Sequence, residues 1–172
     1  MLVVFSEGAK VNFNLYGYLT PAFIGVIDGE PRIFPIVFEK PEDKDELAQK
    51  IHDLIASDRL KEYILVTEAW SANIQDGDQS KVRKWLETYG SLQNWLNRSE
   101  VAMVMYCSPN EEIDYTADII CGRISKVNIA GEQVELKTIG EWKISNRKVN
   151  FNIEDFTTRF QGLFLKGKAG QN

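Results

Sequence analysis

Between Val11 and Leu19 apolar side chains fall at alternate positions, Val11, Phe13 and Leu15, with Asn12 and Asn14 between them. That period of two predicts a strand with one wet face. The apolar runs Pro21–Ile27 and Arg32–Phe38 flank Asp28-Gly29-Glu30-Pro31, and Asp-Gly between such runs predicts a hairpin, because glycine tolerates the positive φ of the tight turn. Pro35 has no backbone N–H to give to a ladder, so its strand belongs at a sheet edge or carries a bulge. A helix is predicted to open at Pro41. Glu42, Asp43, Asp45 and Glu46 complement its positive end, and Leu47, Ile51, Leu54 and Ile55 form one apolar stripe. It fades over Ser57–Leu60, and the β-branched and aromatic run Tyr63–Trp70 predicts a buried strand.

Asn73–Ser80 reads as a loop, and Val82, Trp85, Leu86 and Tyr89 as a short helix ended by Gly90. Ser91–Ser99 is open to a helical or a loop reading. Glu100–Cys107 and Thr116–Lys126 read as strands bracketing an acidic loop, Ser108–Asp114. Val127–Ile129 and Gln133–Thr138 flank a turn at Ala130-Gly131, with Trp142 and Ile144 extending the second strand and Val149–Phe151 adding another. A last helix is expected from Glu154, with Phe156, Phe160, Leu163 and Phe164 on one face. Short connections make antiparallel pairing the default. The expected fold is α+β: a mostly antiparallel sheet of about five to seven strands with two to three helices covering one face. It forms one domain over residues 1–168, with a loose tail at 169–172.

Composition narrows the classes. At 172 residues the chain suits one domain with one continuous core. Its 44% hydrophobic and 26% charged residues exclude a disordered, collagen-like or coiled-coil chain. The longest unbroken apolar run, Val101–Cys107, is far short of the roughly 20 residues of a membrane helix. The opening Met1–Phe5 lacks a basic leader and a long apolar stretch, so a cytoplasmic protein is expected. A net charge of −5 and a pI near 5.0 argue against nucleic acid as the main partner. Lys81, Arg83 and Lys84 beside Trp85 form the best basic patch, and solvated surface charge explains it.

Much chemistry is excluded by what is missing. His52 is the single histidine, so multi-histidine metal sites are impossible within one chain, and its place on an acidic helix suits a surface residue. Gly162–Ala169 matches G-x-x-x-x-G-K, but a phosphate loop needs a strand before it and a Ser or Thr where Ala169 stands. Asp76-Gly77-Asp78 is too short for a calcium loop, and Asn97-Arg98-Ser99 is a sequon without a secretory context. Cys107 and Cys121 end apolar runs and read as buried free thiols. Pairing outward from the loop sets Cys121 opposite roughly Ala102 and disfavours a disulfide. The carboxylates Glu111, Glu112, Asp114 and Asp118 read as a solvated loop rather than a cation site. No cofactor and no metal is expected.

Glu68 is the most informative polar residue. On a strand it shares a face with Ile64, Val66 and Trp70, where a carboxylate needs a cation, a backbone donor or water. Desolvation would raise its pKa and make it the one candidate acid/base. Thr67-Glu68-Ala69-Trp70 closing a strand, followed by Arg98-Ser99-Glu100 leading into the next, resembles a class of small uncharacterised bacterial and phage proteins. The resemblance spans Tyr63 to about Cys107 and implies no activity. It implies that Glu68, Trp70, Arg98 and Glu100 form one polar cluster, with Arg98 between two carboxylates. Trp85, Tyr89 and Trp95 cap the core or present an aromatic patch to a partner. The expected function is a non-catalytic interaction or accessory domain that binds a protein partner or a second copy of itself. The rivals are a hydrolase or transferase using Glu68, with Asp114 or Glu100 orienting a metal or water, and weak nucleic-acid binding through Lys81, Arg83 and Lys84.

Overall fold

The computed structural model describes residues 2–72, 79–122, 128–129, 132–133, 136–148 and 159–164. The elements run α1 (Leu2–Tyr16), β1 (Ala22–Ile27), β2 (Glu30–Pro35), α2 (Pro41–Ala56), β3 (Leu60–Ala72), α3 (Gln79–Tyr89), β4 (Arg98–Cys107) and β5 (Glu111–Gly122). Then come β6 (Asn128–Ile129), β7 (Glu132–Gln133), β8 (Leu136–Ile139) and β9 (Lys143–Lys148). The fold is α+β, with a seven-stranded sheet in the order β2-β1-β3-β4-β5-β8. The long β5 divides its free edge: Ile119–Gly122 pairs with β8 and Glu111–Thr116 with β9, all antiparallel. The short β6–β7 hairpin stands apart.

The Asp28-Gly29 turn joins β1 to β2 with both residues at positive φ, 53° and 83°, the geometry that twists with the strands it links. Arg59 holds Asp28 through a two-pronged ion pair at 2.7 Å. Pro35 lies on β2, the sheet edge, as its missing donor requires. Pro41 begins α2, and the Asp43 carboxylate accepts the Glu39 and Lys40 N–H groups at 2.7 and 3.0 Å, closing the helix entry.

β3 and β4 pair over ten consecutive residues, from Tyr63 opposite Cys107 to Ala72 opposite Arg98. Two cores form on the two faces of this ladder. Tyr63, Leu65, Met105 and Cys107 meet Phe23, Ile51 of α2 and the C-terminal Phe160, Leu163 and Phe164. Ile64, Val66, Ala102 and Val104 meet Ala9 and Phe13 of α1, with Ala117 and Ile139. Gly25 is required where β1 crosses this packing, because a Cβ there would stand 2.9 Å from Leu60 and from the Phe23 ring.

Four expectations change. The stretch from Val11 is helix, not strand: Ser6, Ala9 and Phe13, three and four residues apart, are its buried face, and the alternation over Val11–Leu15 arises because the outer face is apolar as well. The helices therefore cover both faces of the sheet, α1 on one and α2 on the other. The acidic stretch is not a loop, since β5 starts at Glu111 and only Ser108–Asn110 turn. Trp142 and Ile144 do not prolong β8: residues 140–142 interrupt the strand, and β9 crosses to the other half of β5. Residues 91–97 form turns without regular structure. The stretches 73–78, 149–158 and 165–172, which include Asp76–Asp78, the start of the expected last helix and the tail, lie outside the described residues.

Leu65 is fully buried at the centre of the ladder. Leu65→Ala is expected to lower unfolding stability by about 2–5 kcal/mol in urea titrations. A loss under about 1 kcal/mol would contradict this placement.

Candidate functional site

β1 follows β3 only as far as Val66 opposite Ala22, so among the described residues Thr67–Ala72 pair with β4 on one side and with no strand on the other. Glu68 lies in this stretch. Its Oε1 accepts the Leu19 N–H at 2.6 Å, which is the backbone donor that a half-buried carboxylate needs. Trp70 stands opposite Glu100, and the Arg98 guanidinium lies 5.0 Å from the Trp70 ring centre in a cation–π contact. Arg98 also donates to the Trp95 carbonyl at 3.2 Å. Glu100 pairs with Lys137 at 2.9 Å. The four residues thus share one ladder but not one network. Arg98 bridges no two carboxylates, because Glu68 is satisfied by the backbone and Glu100 by the neighbouring strand β8.

This stretch of β3 borders a cleft of about 360 Å³. Its floor includes Leu86, Leu92 and Met103, and Phe38, Lys44, Glu68 and Arg159 stand around it. A second hollow of about 490 Å³ continues it past Leu19 and Lys40, sharing Phe38, Lys44, Thr67, Glu68, Gly90, Ser91 and Arg159. Lys44 is half-buried and its ammonium lies 5.4 Å from the centre of the Phe38 ring. Burial, reinforced by the charge of Arg159, lowers its pKa. Arg159 binds the Asp45 carboxylate and donates to the Gly90 carbonyl at 3.3 Å. Gly90 ends α3 at φ 65°, and a Cβ there would meet the Arg159 guanidinium at 3.2 Å.

The most tightly built polar group lies elsewhere. Tyr63, Cys107, Glu112 and Arg147 occupy one register row across β3, β4, β5 and β9. Glu112 and Asp114 are 8% and 5% exposed, so two of the four carboxylates expected to be solvated are buried. Arg147 lies 3.5 Å from Glu112 and 3.8 Å from Asp114. Glu112 accepts the Gly162 N–H at 2.8 Å, Asp114 accepts from Gln161 Nε2 at 3.1 Å, and the Tyr63 hydroxyl donates to the Phe160 carbonyl at 2.8 Å. The row therefore latches the C-terminal turn 159–164 onto the sheet and sets Arg159 at the cleft. Burial raises the pKa of Glu112 and of Asp114, against the pull of the Gly162 N–H on the first and of Arg147 on both. Burial also pushes the Cys107 thiol well up, so this free cysteine is a poor nucleophile. The Cys121 side chain lies outside what the structure describes, and Cys107 faces Glu112 rather than a second thiol.

Sequence reasoning missed this row. The signal was the alternation of Glu112 and Asp114 with Ile113 and Tyr115, which carries the strand back to Glu111 and leaves Ser108-Pro109-Asn110 as the turn. No group of three or more His, Cys, Asp or Glu side chains is arranged to hold a metal among the described residues. Asp118 is exposed and pairs with Lys143 at 3.8 Å. His52 sits half-buried on α2 beside Asp53.

Trp85 and Trp95 are half-buried and pack edge to face at 5.2 Å, with Tyr89 4.3 Å from Trp85. The Trp85 indole donates to the Ser91 carbonyl at 3.1 Å, so the trio ties α3 to the turns that follow it. Lys81, Arg83 and Lys84 are exposed on α3. Among the described residues α1 exposes an apolar stripe, where Val4, Val11 and Leu15 are 72%, 59% and 69% exposed along one line with Gly8. No known protein family, curated protein or solved structure matches the chain.

Stability is predicted to rise as the pH is lowered from neutral toward the ordinary carboxyl range. Folding holds protons on Glu112 and Asp114 that the unfolded chain releases, so unfolding releases protons and loses favour in acid. At still lower pH the trend reverses as Asp28 and Asp43, whose pKa values are lowered by Arg59 and by the α2 entry, lose their charge. Thermal melts of a Glu112→Gln, Asp114→Asn double variant should show a flatter pH dependence above the carboxyl range. An unchanged slope would contradict the buried placement.

Proposed function

We propose that this protein is a non-catalytic interaction domain that assembles with a second copy of itself through the outer face of α1. The observation that carries the reading is the exposure of Val4, Val11 and Leu15, joined at the rim by Val3, Tyr16 and Tyr18. A helix apolar on both faces suits burial on both. One face of α1 is covered by the sheet. The other presents Val4, Val11 and Leu15 to solvent as one contiguous stripe, and contiguous exposed apolar surface is where partners bind.

A second copy is the occupant that this face fits. Of the two charged residues of α1, Lys10 reaches back to the Gly140 carbonyl at 3.3 Å, leaving Glu7 at the edge of the stripe. An uncharged stripe is matched by another like it. Two such helices related by a two-fold axis place Gly8 against Val11 and Val4 against Leu15, small against large, which permits the close approach of helix packing. Glu68 does not favour the acid/base reading, because its carboxylate holds the Leu19 N–H. The acidic balance of the chain does not favour nucleic acid.

Light scattering during size exclusion tests this. The wild type is expected at twice the 19.6 kDa chain mass, and Val11→Lys at the single mass with an unchanged circular dichroism spectrum. A wild type that stays single across the micromolar range, or a Val11→Lys variant that still pairs, overturns the proposal.

A further inference from the structure

The cleft beside β3 is separate from the α1 face and has chemistry of its own. The Lys44 ammonium lies over Phe38, half-buried, and makes no ion pair or hydrogen bond with any described carboxylate. A second cation, Arg159, borders the same space, and its charge disfavours that of Lys44. Of the two, Arg159 is paired with Asp45, which leaves Lys44 as the cation with no carboxylate partner among the described residues. Arg159 is not placed there by chance of the surface. Its turn is fastened by the Glu112, Asp114 and Tyr63 hydrogen bonds, and Gly90 leaves the room that its guanidinium fills.

The remaining charges define what fits. Glu68 also borders the cleft, with one oxygen held by Leu19, and Glu39 lies at the outer hollow. Glu100 is neutralised by Lys137, and Lys40 borders only the outer hollow. Compact polyanions such as phosphate meet these carboxylates, whereas a monoanion reaches the two cations with less repulsion. The floor of Leu86, Leu92 and Met103 offers apolar surface to a hydrocarbon body, and about 360 Å³ is the size of a small-molecule site. We propose that this cleft binds a small organic acid, its anionic group between Lys44 and Arg159 and its hydrocarbon body on the Leu86–Leu92–Met103 floor. The Phe38 ring holds the Lys44 stem in place for that contact.

Calorimetric titration of the full chain with 4-phenylbutyrate, octanoate and 8-anilinonaphthalene-1-sulfonate tests the assignment, with 4-phenylbutyramide as the uncharged counterpart. At least one of the acids is expected to bind with a Kd of about 1 mM or tighter, and the amide about tenfold more weakly than 4-phenylbutyrate. Lys44→Met, which keeps the apolar stem, should weaken acid binding by about tenfold, and Lys44→Gln should do the same. Lys50→Met, an exposed change on the same helix, should leave binding unaltered, and inorganic phosphate should not compete. Failure of all three acids to bind with a Kd of about 1 mM or tighter would overturn the proposal. So would equal binding of acid and amide, or unaltered binding by both Lys44 variants with wild-type circular dichroism. None of these outcomes bears on self-association, which the chain mass reads separately.

Discussion

Ten consecutive pairs between β3 and β4 hold this molecule together, because that ladder is apolar on both faces where it is longest. Over Tyr63–Val66 and Ala102–Cys107, the residues Tyr63, Leu65, Met105 and Cys107 on one side and Ile64, Val66, Ala102 and Val104 on the other leave the ladder no wet face. A sheet buried on both sides needs two covers, and the chain supplies α2 with the C-terminal turn for one and α1 for the other. Each cover follows from the alternation of side chains along the same two strands. The register thus decides which residues meet α1 and which meet α2, and a slip by one position would exchange the two cores.

The ladder also outruns its neighbour. β1 stops at Val66, and the six residues of β3 beyond it, paired among the described strands with β4 alone, are where Glu68 takes up a backbone donor and the cleft opens. At the opposite end of the ladder the polar row from Tyr63 to Arg147, with Asp114 two residues further along β5, sets two buried carboxylates against one guanidinium. Buried charges of this kind contribute little net stability, and removing one partner is costly. Their visible effect is positional. They accept the Gly162 N–H and the Gln161 amide, and so fix where the chain returns to the sheet and where Arg159 emerges. A polar row within one core thereby shapes the electrostatics of a cleft some distance along the same face.

The parts of the fold legible in the sequence are those where one physical signal dominates. The Asp28-Gly29 hairpin, the Pro41 helix start, the β-branched run of β3 and the edge position of Pro35 each rest on a local backbone requirement, and each stands as expected. Helix α1 was illegible because its apolar residues serve two surfaces, so that over Val11–Leu15 a period of 3.6 is overlaid by an apparent period of two. The acidic stretch misled for the opposite reason. Charge suggests solvent, and nothing local announces that Arg147, 35 positions beyond Glu112, will lie opposite it. Glu68 was legible as a residue needing a partner, but its partner is a backbone group before β1, and only the tertiary fold brings Leu19 there. Lys44 carried no local signal, since its meaning comes from Arg159, more than a hundred residues away.

Amide hydrogen exchange across the full chain tests most directly whether the twin-faced ladder governs everything built on it. The backbone amides of Tyr63–Val66 and Val104–Cys107 are expected to exchange only through whole-molecule opening, at one shared free energy equal to the global unfolding value. Protection should decline along Ala69–Ala72, where β3 has no second neighbour among the described strands. Exchange in either central segment that is faster than in α1 or α2, or different opening energies for the two strands, would contradict it.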